Sequence, residues 1–213
     1  MRPAAAIAIT LAACGDNSAR PDAAIDVAAP ELALVTAQMD GTQMITNTDF
    51  APGACELVEG CIGAAGTRRL LRFATVTENR GNADLILGPI PPLGTSDGIY
   101  VWSPCHMHHH VAGYADYELR DGSGVVAAGH KQGFCIEDDE QVIPLGPSHG
   151  YNCTSMGISI GWADAYDAAK PCQWIDITDV VSGTYELRVT IDPTGVLPDS
   201  DPGNNRWSAT VTL

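Results

Sequence analysis

A chain of 213 residues is long enough to bury a core and short enough for one domain with at most a small appendage. Hydrophobic residues make up 45% and charged ones 17%, which excludes disorder by composition, while 22 Gly and 14 Pro favour turns over long helices. The 11 Lys and Arg against 26 Asp and Glu leave a net charge of -15, which repels nucleic acid and draws cationic partners.

The chain opens on a targeting segment. Arg2 is followed by an apolar run, Ala4 to Leu11, that is too short to span a bilayer as a helix and reads as a signal-peptide core. Its end, Leu11-Ala12-Ala13-Cys14, resembles a bacterial lipobox, so residues 1–13 are expected to be removed and Cys14 to carry lipid. The Ala-, Asp- and Ser-rich stretch 14–29 reads as a flexible tether. This makes the expected product an exported protein, held at the cell envelope through Cys14 alone or secreted.

From residue 30 the pattern is that of short strands. Apolar or alternating runs fall at Glu31–Val35, Leu70–Val76, Asp116–Leu119, Gly124–Ala128, Tyr185–Ile191 and Trp207–Leu213, each bounded by Gly, Pro, Asn or Asp. The last two are expected to be neighbours in an antiparallel sheet. No sustained 3.6-residue pattern occurs, so helices should be single turns, and the expected fold is mainly β, a sandwich-like antiparallel core with long disulfide-stapled loops. Beyond Cys14 there are six cysteines, Cys55, Cys61, Cys105, Cys135, Cys153 and Cys172. In an exported chain they point to three disulfides, and their spacing cannot choose among the fifteen pairings.

The chemistry concentrates between Cys105 and Trp174. In Trp102-Ser-Pro-Cys-His-Met-His-His-His110, an extended strand would send His106, His108 and His110 to one face and Met107 and His109 to the other. Three imidazoles on one face form a metal site, suited by residue type to either Zn(II) or Cu(II). Only Lys131 and Lys170 are lysines, and Lys131 lies in Gly129-His-Lys-Gln-Gly-Phe-Cys135. A third segment reads Cys172-Gln-Trp-Ile-Asp-Ile-Thr-Asp179.

These three segments, in this order, resemble the catalytic domain of the lysyl oxidase family, over residues 30–213. The resemblance implies a copper amine oxidase that deaminates primary amines, protein lysine or small amines, to aldehydes, consuming O2 and releasing ammonia and hydrogen peroxide. It implies that His106, His108 and His110 bind Cu(II), and that Lys131 and Tyr166, six positions before Cys172, become the family's cross-linked cofactor, lysyl tyrosylquinone. Lys170 lies outside the matching motif, in what reads as a loop beside Pro171, and is expected to be dispensable. The implied disulfides are Cys55 with Cys105, Cys61 with Cys172 and Cys135 with Cys153. A further family pair is missing, with Trp162 where one partner would stand. The general base is unassigned among His130, Asp164 and Asp167.

In Pro198-Asp-Ser-Asp-Pro-Gly-Asn-Asn205 the side-chain oxygens of Asp199, Asp201, Asn204 and Asn205 crowd one loop, as Ca(II) requires. The resemblance adds Glu31 and the carbonyl of Leu32 as ligands. Two other classes fit part of the pattern. A zinc-dependent hydrolase would use the three histidines but leave Lys131 and Tyr166 without a role. A non-enzymatic calcium- or copper-binding sandwich module would explain the last hairpin but not the Gly-His-Lys segment.

Overall fold

Alternation decides which residues face inward. In Thr184–Ile191 every second side chain, Tyr185, Leu187, Val189 and Ile191, is buried, which is the signature of a strand with one wet face. The computed structural model describes residues 27–129, 135–144 and 147–213.

In chain order the elements begin with β1 (Leu32–Leu34), α1 (Thr36–Met39), β2 (Met44–Phe50), α2 (Cys55–Val58), β3 (Gly66–Arg72), β4 (Thr75–Asn79) and β5 (Leu85–Ile86). They continue with β6 (Tyr100–Ser103), β7 (His108–Val111), β8 (Ala115–Asp121), β9 (Gly124–Gly129), β10 (Glu140–Gln141) and β11 (Gly157–Ile158). The last are β12 (Trp162–Tyr166), β13 (Trp174–Asp176), β14 (Thr184–Ile191), a 3-10 turn at Pro202–Asn204, and β15 (Arg206–Thr212). The fold is mainly β, and the helices are single turns, as the composition implies.

All strand pairs are antiparallel. One sheet has the order β15-β14-β8-β9, a second β1-β4-β12-β10 and a third β13-β3-β2, with β6-β7 and β5-β11 as two-stranded ribbons. The expected pairing of the last two runs holds, from Thr184↔Thr212 to Thr190↔Arg206. The sheets share one core, in which Leu32, Leu71, Phe73, Tyr117, Leu119, Tyr166, Ile175, Leu187 and Trp207 are buried together. Phe73 meets Tyr117 edge to face at 4.9 Å.

Leu70–Val76 is not one strand. β3 ends at Arg72 and β4 starts at Thr75, in a different sheet, because Phe73 turns into the core and Ala74 N–H donates to Thr42 Oγ1 at 3.0 Å. The run carries no Gly or Pro, and only the tertiary partners break it.

The Cys172–Thr178 segment is scaffold. Trp174 Nε1 donates to Cys61 O at 3.0 Å, with the Arg72 guanidinium 4.3 Å from its ring centre. Buried Gln173 accepts from Tyr117 Oη at 3.2 Å and donates to Thr75 Oγ1 at 2.8 Å. Asp176 holds Arg68 at 2.8 Å. Gly129 closes β9 where a Cβ would lie 2.8 Å from Trp174 O and 2.9 Å from Tyr117 Cβ, so no larger residue fits at the head of the Gly-His-Lys motif.

The three disulfides are Cys55–Cys105, Cys61–Cys172 and Cys135–Cys153, the pairing the resemblance implies. Cys61 and Cys172 are 111 residues apart, so reducing that bond frees a long loop in the unfolded chain. Replacing both by Ala is expected to cost about 2–5 kcal/mol in denaturant unfolding. An unchanged midpoint would mean that the fold does not rely on this staple.

Candidate functional site

The β6-β7 hairpin builds the histidine cluster, but not by alternation alone. Ser103 pairs with His108, and the four residues between them form the turn, with Met107 N–H donating to Ser103 O at 2.9 Å and Met107 at φ 57°. His108 and His110 alternate on β7 as expected. His106 does not lie on the strand: it belongs to the turn, and the left-handed Met107 swings it back onto the same face. Met107 is exposed and His109 is buried on the opposite side, its Nε2 2.9 Å from Thr95 O and its ring 5.1 Å from Trp102.

The three rings are 5.1 to 5.6 Å apart between centres, and one nitrogen from each lies within 4.8 Å of the others. Burial first, and then His106, push the His108 imidazole below its ordinary pKa, which favours the neutral form that binds metals. His108 Nε2 is buried with no hydrogen-bond partner, and a metal ion is the kind of ligand that would satisfy it. The donor set and its spacing fit a divalent ion such as copper.

Glu59 holds the turn from behind. Its Oε2 lies 3.1 Å from His106 Nε2 and its Oε1 accepts from Ser103 Oγ at 2.5 Å. A carboxylate behind a ligating imidazole fixes ring orientation and raises basicity. Glu59 sits between Cys55 and Cys61, and an acid framed by two disulfide cysteines was the available signal in the sequence.

A cavity of about 220 Å³ joins His106 and His108 to Tyr166, with Glu137, Lys170 and the Cys135–Cys153 disulfide in its wall. Tyr166, 1% exposed, donates from Oη to Cys135 O at 2.9 Å. A larger cavity, about 520 Å³, also reaches Tyr166 and includes Glu140 and Asp167. Lys170, expected to be dispensable, lies with Nζ 5.0 Å from the Tyr166 ring centre and 3.7 Å from Asp139 Oδ2. Burial, then Asp139, raise the Glu137 pKa. Lys131, His130 and Cys14 lie outside the described residues.

Of the remaining candidate bases, Asp167 is exposed and accepts from Ala169 N within its own loop. Asp164 is buried on β12, two residues from Tyr166 and on its face of the strand. Trp162 packs at 5.8 Å from His149 and donates to Pro147 O at 2.8 Å.

The second candidate cluster assembles from both ends of the chain. Asn204 Nδ2 donates to Glu31 Oε1 at 3.0 Å, Leu32 N–H to Asp199 Oδ1 at 3.2 Å, and Asn205 Nδ2 to Asp199 Oδ2 at 2.7 Å. Asp201 caps the 3-10 turn through Gly203 N–H. Asn204 Oδ1 and Asn205 Oδ1 are buried without hydrogen-bond partners, two oxygens of the type a hard cation takes.

A disulfide-stapled β fold in which a three-histidine cluster opens, through His106 and His108, on a buried tyrosine defines a narrow class of protein. Residues 48–213 match the family model described as Lysyl oxidase, and the chain belongs to the lysyl oxidase family. It is 35% identical over 190 residues to lysyl oxidase homolog 2 of Rattus norvegicus, covering 83% of this chain and 24% of that protein. It is 36% identical over 165 residues to protein-lysine 6-oxidase of Gallus gallus, covering 71% of this chain and 37% of that one. The corresponding Sus scrofa protein is also 36% identical over 165 residues, and 63% of it is covered. The chain therefore spans less than two thirds of each of these relatives.

Glu59→Gln keeps the shape of the side chain and removes its charge. Copper(II) affinity, read by competition with a chelator, is expected to fall by about 10- to 100-fold. Unchanged affinity would reduce Glu59 to a packing role.

Proposed function

We propose that this chain is a copper- and quinone-dependent amine oxidase of the lysyl oxidase type, converting primary amines to aldehydes with O2 and releasing ammonia and hydrogen peroxide. The observation that carries this reading is the single cavity shared by His106, His108 and the Tyr166 ring. Family membership and relatives named protein-lysine 6-oxidase support it. In this reading His106, His108 and His110 hold Cu(II), and Lys131 and Tyr166 are the two halves of lysyl tyrosylquinone. With O2, copper would oxidise the tyrosine ring so that the lysine amine can add, and the resulting quinone would accept the electrons of the amine.

The chain's own groups prepare this chemistry. Glu59 orients His106. The core around Tyr166 excludes water, and the Cys135 carbonyl fixes its hydroxyl. Glu137 in the cavity wall and the net charge of -15 favour a cationic primary amine, whether a protein lysine or a small amine.

We also propose Ca(II) at Glu31, the Leu32 carbonyl, Asp199, Asp201, Asn204 and Asn205, in a catalytic domain spanning residues 30–213. Export as a lipoprotein through Cys14, with residues 1–13 as signal and 14–29 as tether, completes the reading.

Two experiments test these assignments. Protein matured with copper and oxygen is expected to give a proteolytic fragment linking the Lys131 and Tyr166 peptides. Lys131→Arg should load metal but give no linkage, because its guanidinium stays protonated. Unmodified Tyr166 in copper-loaded protein that still oxidises amines would overturn the cofactor assignment. For the second cluster, Ca(II) at about 100 times its Kd should add about 2.7 kcal/mol of stability, and Asp199→Asn should abolish most of that gain. A melting temperature indifferent to Ca(II) and chelator would remove the site.

A further inference from the structure

Strand β12 sends two ionisable side chains, Asp164 and Tyr166, to one face and into the core. Asp164 is 0% exposed and neither of its oxygens has a hydrogen bond of good geometry, although the Tyr166 and Tyr114 hydroxyls lie close enough to act on it as donors. Thr77 stands opposite it in the β4 ladder, and Thr77 Oγ1 and Tyr114 Oη are also buried without partners. Four polar atoms on three neighbouring side chains therefore lack a well-aligned hydrogen bond in the region of the Tyr166 phenol. A carboxylate in that setting is costly, whereas a carboxylic acid has a proton to offer its neighbours.

Tyr166 has the complementary problem. Burial, and then the charge of Asp164, raise its pKa well above the ordinary phenol value, so it cannot shed its proton to water near neutrality. Oxidation of the ring requires that proton to leave.

We propose that Asp164 is the proton acceptor for Tyr166 during formation of the cofactor. The inference rests on the reading of Tyr166 as the cofactor precursor. The Tyr166 O–H bond breaks, its electron pair stays on the phenolic oxygen, and a new O–H bond forms on an Asp164 carboxylate oxygen. Copper and O2, named above, are the oxidant. Cys135 O, which accepts from Tyr166 Oη, cannot take the proton because an amide carbonyl is too weak a base.

The groups around Asp164 define its pH response. Burial comes first and Asp139, in the segment before β10, second in raising its pKa to about 8. The Tyr166 and Tyr114 hydroxyls and Lys170 pull it down more weakly. Tyr117 of β8 is a neutral phenol near the same carboxyl, its own pKa pushed up to about 12, and β4 contributes only the uncharged Thr77. At neutral pH Asp164 therefore already carries a proton and accepts another group's proton only in its minor ionised fraction. That fraction grows about tenfold per pH unit below the midpoint and saturates above it.

The test begins with full-length, copper-free protein. Its infrared spectrum should contain a carboxylic-acid carbonyl band at about pH 6–7 that disappears through about pH 8. Asp164→Asn should lack the band, and Asp139→Asn should move its midpoint downward. Copper(II) and air are then added, and the linked Lys131–Tyr166 peptide is followed by mass spectrometry. The wild-type rate should rise about tenfold per pH unit up to that midpoint. Asp164→Asn should be at least about tenfold slower and lose that step, with copper binding unchanged.

Maturation of Asp164→Asn at the wild-type rate and with the wild-type pH profile would overturn the proposal. So would the absence of a titrating band in the wild type, a result that needs no variant to fold. If wild-type protein loads copper but never modifies Tyr166, the cofactor reading itself fails and this inference falls with it. That outcome is distinguishable from a failure at Asp164 alone, in which wild type and variant both mature.

Discussion

The segment from Cys55 to Cys61 is bonded at one end to Cys105, next to His106, and at the other to Cys172, six residues after Tyr166. That double tie is the constraint on which the site depends. The histidine turn and the tyrosine strand belong to different sheets and share no ladder, so hydrogen bonding between strands does not set their separation. The tie sets it instead, and Glu59, carried between the two cysteines, makes the polar contact that aligns His106 with the strand histidines. The Cys135–Cys153 bond lines the same cavity as the phenol.

The core is mostly apolar, as short antiparallel strands require, and one group of its buried polar side chains lies on or beside β4 and β12. Asp164 and Thr77, on β12 and β4, and Tyr114 and Gln173, in the segments that lead into β8 and β13, are buried polar groups. Gln173 is fully used, bridging Tyr117 and Thr75. The first three are not, and unsatisfied groups of this kind persist where chemistry needs them more than stability does.

The sequence made the strands legible where alternation is strict, as in β14, β15 and β8, and made the histidine cluster legible through its density. It did not reveal β2, whose residues are mostly exposed and carry little apolar pattern, nor the break at Phe73, which is made by Tyr117 and Thr42 from distant parts of the chain. The spacing of His106, His108 and His110 suggests a three-residue face, yet only two of them are on the strand, because a positive φ at Met107 cannot be read from a methionine. The place of Lys170 beside the ring is hidden for a similar reason. Four residues after Tyr166, it is returned to the ring by a turn in which Lys170 N–H donates to Asp167 O at 3.1 Å. Glu59 was marked in the sequence only by its place between Cys55 and Cys61, and Glu137 is one of four acids in Glu137-Asp138-Asp139-Glu140, where only its surroundings distinguish it.

The way the chain enters the fold has a mechanical consequence. β1 is three residues long and lies antiparallel to β4, with Leu32 opposite Asn79, while its first residue is fastened to the loop before β15 by Asp199. Tension applied at residue 31 is therefore borne in shear, by a short ladder and a cross-chain clasp loaded together instead of peeling one bond at a time. It enters β4 at Asn79, the end of the strand opposite Thr75, where Tyr166 pairs. A pull on the chain ahead of β1 would meet its resistance at the clasp, away from the ladder rung that holds the phenol.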